Sequence, residues 1–240
     1  MSVADLYFAE LIDRLADACA RSIAAGKLAF SFGTGHGALP GLEMFPRTGT
    51  IVGFRPIVES TMISFHRVWG DMGARQYRFI HAVEGYGKAI LRSHQLDPED
   101  SIILFSHSGV NAVILDIALG AKEKGLTVIA VTSLPHSSAS PARHSSGKRL
   151  FEVADVVIDT RASLSDASIR IDGLSAPVGA NSTSVAIAIA QTIVAETAEK
   201  LVRRGVQPFV MVNPNTAGKE AANAANDRNY EEVWRRLKAR

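Results

Sequence analysis

The residues best equipped for chemistry in this chain stand together in Ser106-His107-Ser108-Gly109-Val110-Asn111. Two hydroxyls, an imidazole, an amide and a glycine follow an apolar run at 102–105 and precede a helical pattern. An unbroken apolar run suits a strand covered on both faces of a parallel sheet. Beyond the loop, Val113, Ile114, Ile117 and Ala118 recur at helical spacing as far as Lys124-Gly125, a cationic last turn with a glycine stop. Strand, short polar loop and helix bring free backbone N–H groups and the positive end of a helix dipole against serine hydroxyls. That geometry suits a dianionic phosphate ester. The same serines equally suit plain helix capping, which would involve no ligand.

Other reactive groups lie where expected elements end. A first strand at 28–32 runs into Gly33-Thr34-Gly35-His36-Gly37-Ala38, formally the Gly-x-Gly-x-x-Ala dinucleotide fingerprint. A dinucleotide site wants an acid at the end of the second strand. Here the second strand, 50–54, ends at Arg55-Pro56, which leaves only an NADP variant. The simpler reading is a glycine-rich turn that lets backbone approach a ligand and offers Thr34 and His36. A strand at 127–131 ends in Thr132-Ser133, on the same edge of a parallel sheet as Ser106 and Ser108. Glu84 is followed by two poor helix formers, Gly85 and Gly87, and Glu43 sits in a short helical segment closed by Pro46 and Gly49. Either carboxylate also reads as an ordinary surface acid. Seven histidines, at 36, 66, 81, 94, 107, 136 and 144, lack the close spacing of a zinc motif, so no metal site is expected.

The elements that must position these groups fit one α/β domain over 1–240. Hydrophobic residues make up 47% and charged residues 21% of the 240, and the net charge of +2 gives no pull towards nucleic acid. Cys19 is the only cysteine, which excludes a disulfide framework and a cysteine metal cluster. Asp5, Glu10 and Asp13 argue against a signal peptide, and no apolar run reaches membrane-spanning length; a soluble, cytoplasmic protein is expected. Residues 3–25 form an amphipathic helix with Leu11, Leu15, Cys19 and Ile23 on one stripe, of the kind that often packs on a partner subunit. The stretch 57–73 has no clear period but is long enough to cover a site; Met62, Phe65 and Trp69 read as contacts there, His66 and Arg67 as exposed.

A single helix is expected over 74–95, carrying Glu84 early. Residues 135–149 read as a polar surface loop whose Arg143, His144, Lys148 and Arg149 could border an anionic ligand. A strand at 155–159 precedes a loop at 160–180 with an edge strand at 168–171. Asn181-Ser182-Thr183-Ser184 then cap a helix, buried on most sides, that reaches Arg204-Gly205. The tail, 208–240, ends in a short charged helix.

The Ser-x-Ser-Gly-x-Asn loop at 106–111 resembles the phosphate-gripping loop of the sugar isomerase (SIS) domain family. The glycine turn of the first strand, Thr132-Ser133 and Ser182-Thr183-Ser184 occur in that family's order. Phe32-Gly-Thr-Gly-His36, Thr132-Ser-Leu-Pro-His136, Ser146-Gly-Lys-Arg-Leu150, Val153-Ala-Asp-Val-Val157 and Val178-Gly-Ala-Asn-Ser182 are similar to small single-domain SIS proteins. These are related to N-acetylmuramic acid 6-phosphate etherase and phosphoheptose isomerase, and the likeness spans nearly the whole chain. It implies a three-layer sandwich with a mainly parallel five-stranded sheet flanked by helices. It implies a phosphorylated-sugar ligand, held by Thr34, Gly35, Ser106, Ser108, Gly109, Asn111, Thr132, Ser133, Ser182 and Thr183. A homodimer or homotetramer, whose sites neighbouring subunits complete, is implied as well, with helix 3–25 and the helix from Ser184 at the interface.

Two positions depart from the family pattern. His107 stands where asparagine or a small residue is common, and Gly37 where serine is usual, which removes one hydroxyl. Aldose–ketose isomerisation needs a base for the proton next to a carbonyl and no cofactor. Glu84 is the first candidate, since it resembles the start of the etherase's Val-Glu-Gly region; Glu43 is the reserve. His36 or His107 would serve the carbonyl side. Etherase-type elimination begins with the same proton abstraction. Phosphosugar sensing without catalysis is the third reading, although no helix-turn-helix segment accompanies this chain.

Overall fold

Strands whose successive side chains are all apolar can only lie between two covering layers. In β3 (Ser101–Phe105), Ile103 and Phe105 join one core and Ile102 and Leu104 the other, and none is more than 1% exposed. The computed structural model describes residues 3–63 and 73–240. In it, β1 (Ala29–Gly33), β2 (Phe54–Pro56), β3, β4 (Thr127–Thr132) and β5 (Val156–Asp159) form one parallel sheet in the order β2-β1-β3-β4-β5. One face is covered by α1 (Val3–Ala24), α2 (Leu39–Met44) and α8 (Ser182–Arg203) through Leu15, Cys19, Ile23, Met44, Ile189 and Ile193. The other is covered by α5 (Tyr86–Arg92) and α6 (Ala112–Glu123) through Ile90, Leu91, Val113, Ile114 and Ile117. This is the expected α/β three-layer architecture. Cys19 lies wholly inside it, and burial pushes its thiol up to about 12, too high to ionise near neutrality.

Several local expectations change. The helix expected over 74–95 is two, α4 (Gly73–Ile80) and α5, and Glu84 falls in the turn between them. The glycines explain the break. Gly85 has a positive φ of 88°, and the N–H groups of Gly85 and Gly87 donate to Asp116 Oδ2 at 2.6 and 3.2 Å. A Cβ on Gly87 would stand 2.5 Å from the Val113 carbonyl, so the glycines serve close packing on α6. The second strand begins at Phe54 because the segment before it is held by the tail: Ile51 bridges Val210 antiparallel, and Val52 N–H donates to the Phe209 carbonyl.

The stretch 168–171 is no edge of the main sheet. Its first two residues belong to a separate antiparallel hairpin, β6 (Ala167–Ile169) and β7 (Val178–Ala180), and Arg170 and Ile171 lie beyond the strand. Part of the expected 135–149 loop is helical, in α7 (Leu134–Ala139), with Ser133 Oγ accepting from the His136 N–H at its start. α8 is less enclosed than its composition suggests, since Ser184, Ala188, Thr192 and Ala195 are exposed. The charged helix of the tail is long: α10 (Lys219–Lys238) docks through buried Arg236, which donates to the carbonyls of Ile23 and Lys27 at 3.0 and 2.8 Å. Phe65, His66, Arg67 and Trp69 lie outside the described residues, whereas Met62 is fully buried.

Candidate functional site

In an open parallel sheet, ligands favour the carboxyl edge where the strand order reverses. Here that point lies between β1 and β3, from which the chain proceeds to β2 on one side and to β4 and β5 on the other. The turn after β1 is folded tightly: a Cβ on Gly33 would stand 2.0 Å from the Gly37 carbonyl oxygen, and one on Gly37 2.8 Å from that of Phe105. Gly35, at φ 58°, leaves room for the Tyr77 hydroxyl, which donates to Thr34 Oγ1 at 3.2 Å.

The loop after β3 is fixed from behind. Ser106 Oγ accepts from the Gly109 N–H at 3.1 Å, Gly109 has φ 61°, and its carbonyl accepts from the Leu150 N–H at 2.8 Å. The Thr132 hydroxyl and the Ser133 N–H both donate to the His107 carbonyl at 3.1 Å. With its backbone so held, the loop leaves donors over. Asn111 occupies the cap position of α6 without a side-chain capping bond, and neither serine caps that helix. The N–H groups of Ser108, Val110 and Asn111 find no acceptor among the described residues. The capping alternative therefore does not account for this loop.

A cavity of about 240 Å³ opens here, with Thr34, His36, Ser106, His107, Ser108 and Asn111 along the β1 and β3 ends and Ser182 and Thr183 at the start of α8. Gly35 and Gly109 shape the two turns. Thr132 and Ser133 stand behind the wall, fully buried, with Ser133 Oγ donating to the Ala162 carbonyl. The two glutamates are not brought in. Glu84 is exposed on the far side of the turn, where its carboxylate accepts from the N–H and hydroxyl of Ser145 at 2.7 and 2.5 Å, and these bonds hold it below the usual carboxylate range. Glu43 pairs with Arg47. None of Arg143, His144, Lys148 and Arg149 lines the cavity either; His144 instead lies buried against Asp116. Arg55, the residue an NADP site would need, also lies elsewhere. Among the described residues no group of three or more His, Cys, Asp or Glu side chains is placed to hold a metal ion.

His107 is a perturbed group in the cavity wall. Both its ring nitrogens are buried without a hydrogen-bond partner, and its ring lies 4.5 Å from that of His136. Burial, with His136 beside it, holds its pKa below the usual histidine value, against the pull of Asp166. The imidazole is therefore neutral near pH 7, with a lone pair that no described residue engages.

Asp166 is the charged lining residue that sequence reasoning missed, and Tyr77 and Thr160 also line the cavity without having been singled out. It sits at φ 63° just before β6, and its Oδ1 accepts from the N–H groups of Ser182 and Asn181 at 2.9 and 3.3 Å. It thus replaces the expected side-chain caps of α8, at a helix end that favours negative charge. Burial works to raise its pKa, but the bonds from Ser182 and Asn181 and the nearby His107 outweigh that and keep it low. No local signal marks it, since the N–H groups it accepts from lie some 15 residues further along the chain.

Fold and cavity together define an α/β ligand-binding protein with its site at the switch point of a parallel sheet. Residues 7–133 match the SIS domain, and the chain belongs to that family. It is 34% identical to a UPF0309 protein of Shouchella clausii, over 90% of this chain and 86% of that one. It is 32% identical to a UPF0309 protein of Geobacillus thermodenitrificans, over 95% of both chains. The structure of a phosphoheptose isomerase from Francisella tularensis superposes with a TM-score of 0.50 at 14% identity, covering 82% of this chain and 91% of that one, a likeness of fold.

Proposed function

We propose that this protein binds a phosphorylated sugar in the cavity between the β1 and β3 ends and interconverts its aldose and ketose forms. The observation that carries this reading is the 106–111 loop, whose Ser108 and Asn111 side chains and free N–H groups stand at the start of α6 beside the unpartnered ring of His107. The donors and the helix dipole suit a phosphate dianion. Holding that far end of the substrate orients its carbonyl end against the cavity wall. His107, neutral and within that wall, takes the proton next to the carbonyl and returns it to the neighbouring carbon. His36, exposed on the β1 side, serves the carbonyl oxygen. Glu84 and Glu43 are not assigned the transfer, because neither lines the cavity.

One observation favours a second reading, a phosphosugar sensor without catalysis. Asp166 is the only acid among the described lining residues, and its carboxylate is engaged by backbone N–H groups. Incubating sugar phosphates with the protein in deuterated water, then weighing the recovered sugar by mass spectrometry, separates the readings. Isomerisation brings deuterium and a rearranged sugar. Loss of a substituent would instead mark etherase-type elimination, and binding without exchange the sensor. If calorimetry detects no phosphosugar binding, the proposal fails.

We further propose that 1–240 acts as one SIS domain in a homodimer or homotetramer. The exposed stripe of Ala188, Thr192 and Ala195 on α8 supports a partner on that face, and a stable monomer in light scattering would count against it. No helix among the described residues is long and apolar enough to cross a membrane, and the proposed setting is the cytoplasm.

A further inference from the structure

A second cavity, of about 150 Å³, lies at the amino edge of the sheet, against Phe30, Arg55, Ser93, His94, Leu237 and Arg240. Arg55, His94 and Arg240 bring cationic or imidazole nitrogen donors, and no lining residue has an acidic side chain. Arg55, on edge strand β2, is half-buried, and its guanidinium makes no hydrogen bond or ion pair with the described residues. Arg240 has a side chain only 8% exposed; its terminal nitrogens bond the Asp100 carboxylate at 2.6 and 2.8 Å and the Gln95 carbonyl at 2.8 Å. Its Nε–H, also buried, has no acceptor. Buried donors without acceptors are rare in folded proteins, because each has given up water for nothing.

We propose that this cavity is a separate binding site for a small oxyanion of phosphate size, received by Arg55, the Nε–H of Arg240 and the His94 ring. The local charges support it. Asp100 is already committed to Arg240 and to the N–H groups of Leu28 and Asp97. Glu59, the acid that acts on His94, accepts from Thr61. Arg55 therefore has no ion-pair partner among the described residues, and the Arg240 guanidinium, after burial, is what disfavours its charge. An oxyanion would satisfy the orphan donor and the unpaired cation together, through charge-assisted hydrogen bonds. The volume suits an inorganic phosphate or the phosphate end of an ester, and is below that of sites for larger organic ligands. The two cavities lie towards opposite ends of β1, since Phe30 near its start lines this one and Thr34, just after its end, lines the first.

The probe is inorganic phosphate, added to protein with labelled histidine rings and read by NMR against chloride at matched ionic strength. The His94 ring signals are expected to move and saturate in phosphate. In Arg55→Gln, and in Arg55→Met, which keeps most of the aliphatic stem, apparent affinity at His94 should fall about tenfold or more. The His107 ring signals should keep their wild-type response, which shows that the variant is folded and separates this site from the first. A His94 response no larger than in chloride overturns the proposal, as does an unchanged response in both variants. Both results stand whether or not the first cavity binds a sugar phosphate.

Discussion

At the scale of single residues, the loop after β3 divides its work unequally. Ser106 spends its oxygen on the Gly109 N–H, whereas Ser108 has no bond within the described residues and lines the cavity. Ser108→Ala should therefore weaken phosphosugar binding by about 1 kcal/mol, near fivefold, with little change in stability, as calorimetry and melting would show. His107 gives a pH signature. Its folded pKa lies below the usual value of 6.5, so the unfolded chain binds its proton first as pH falls. Stability from its neutral form is thus present above that usual value and is lost as pH drops through the folded one. His81 and His94, also depressed by burial, act in the same direction. Melting temperature should fall between about pH 7 and pH 5, less steeply in His107→Gln. If His107 moves the substrate proton, the same variant should retain binding but lose about 100-fold or more in deuterium exchange.

At the scale of elements, Gly37 shows why a family pattern is not a parts list. A serine there would add a hydroxyl, but in this turn its Cβ would stand 2.8 Å from the Phe105 carbonyl, closer than real Cβ atoms come. Gly37→Ala should cost about 1–3 kcal/mol in denaturant unfolding, as overpacked positions do. The strands of the core were legible because their apolar runs are a local signal, and so was the 106–111 loop, bounded by a strand and a glycine-stopped helix. Glu84 was misplaced because helical periodicity continues across Gly85, and only the fit of two glycines against Asp116 and Val113 reveals the break. Asp166 was invisible because its partner N–H groups lie some 15 residues onward, across a hairpin whose strands are three residues each. The segment before β2 reads as a strand, yet its partner comes from the tail beyond residue 208.

At the scale of the whole molecule, the first cavity joins Thr34, Ser108, Asp166 and Thr183, brought together from most of the chain. No fragment holding only one half-sheet carries all of these groups. A ligand that binds there binds only the completed fold and stabilises it by mass action. Its effect on melting temperature should therefore scale with concentration.

Asp166 fixes a negative charge in the wall of a cavity that otherwise offers donors. The site thus has a sign at each end, and it can count charged groups. In the proposed binding mode one phosphate takes the α6 end, and a second on the same small sugar would be driven towards a carboxylate already tied to α8. Across a cavity this small, such repulsion is only partly screened. A sugar bisphosphate should bind at least about tenfold more weakly than the matching monophosphate, and Asp166→Asn should narrow that gap. Equal affinities in competition calorimetry would show that the cavity does not discriminate in this way.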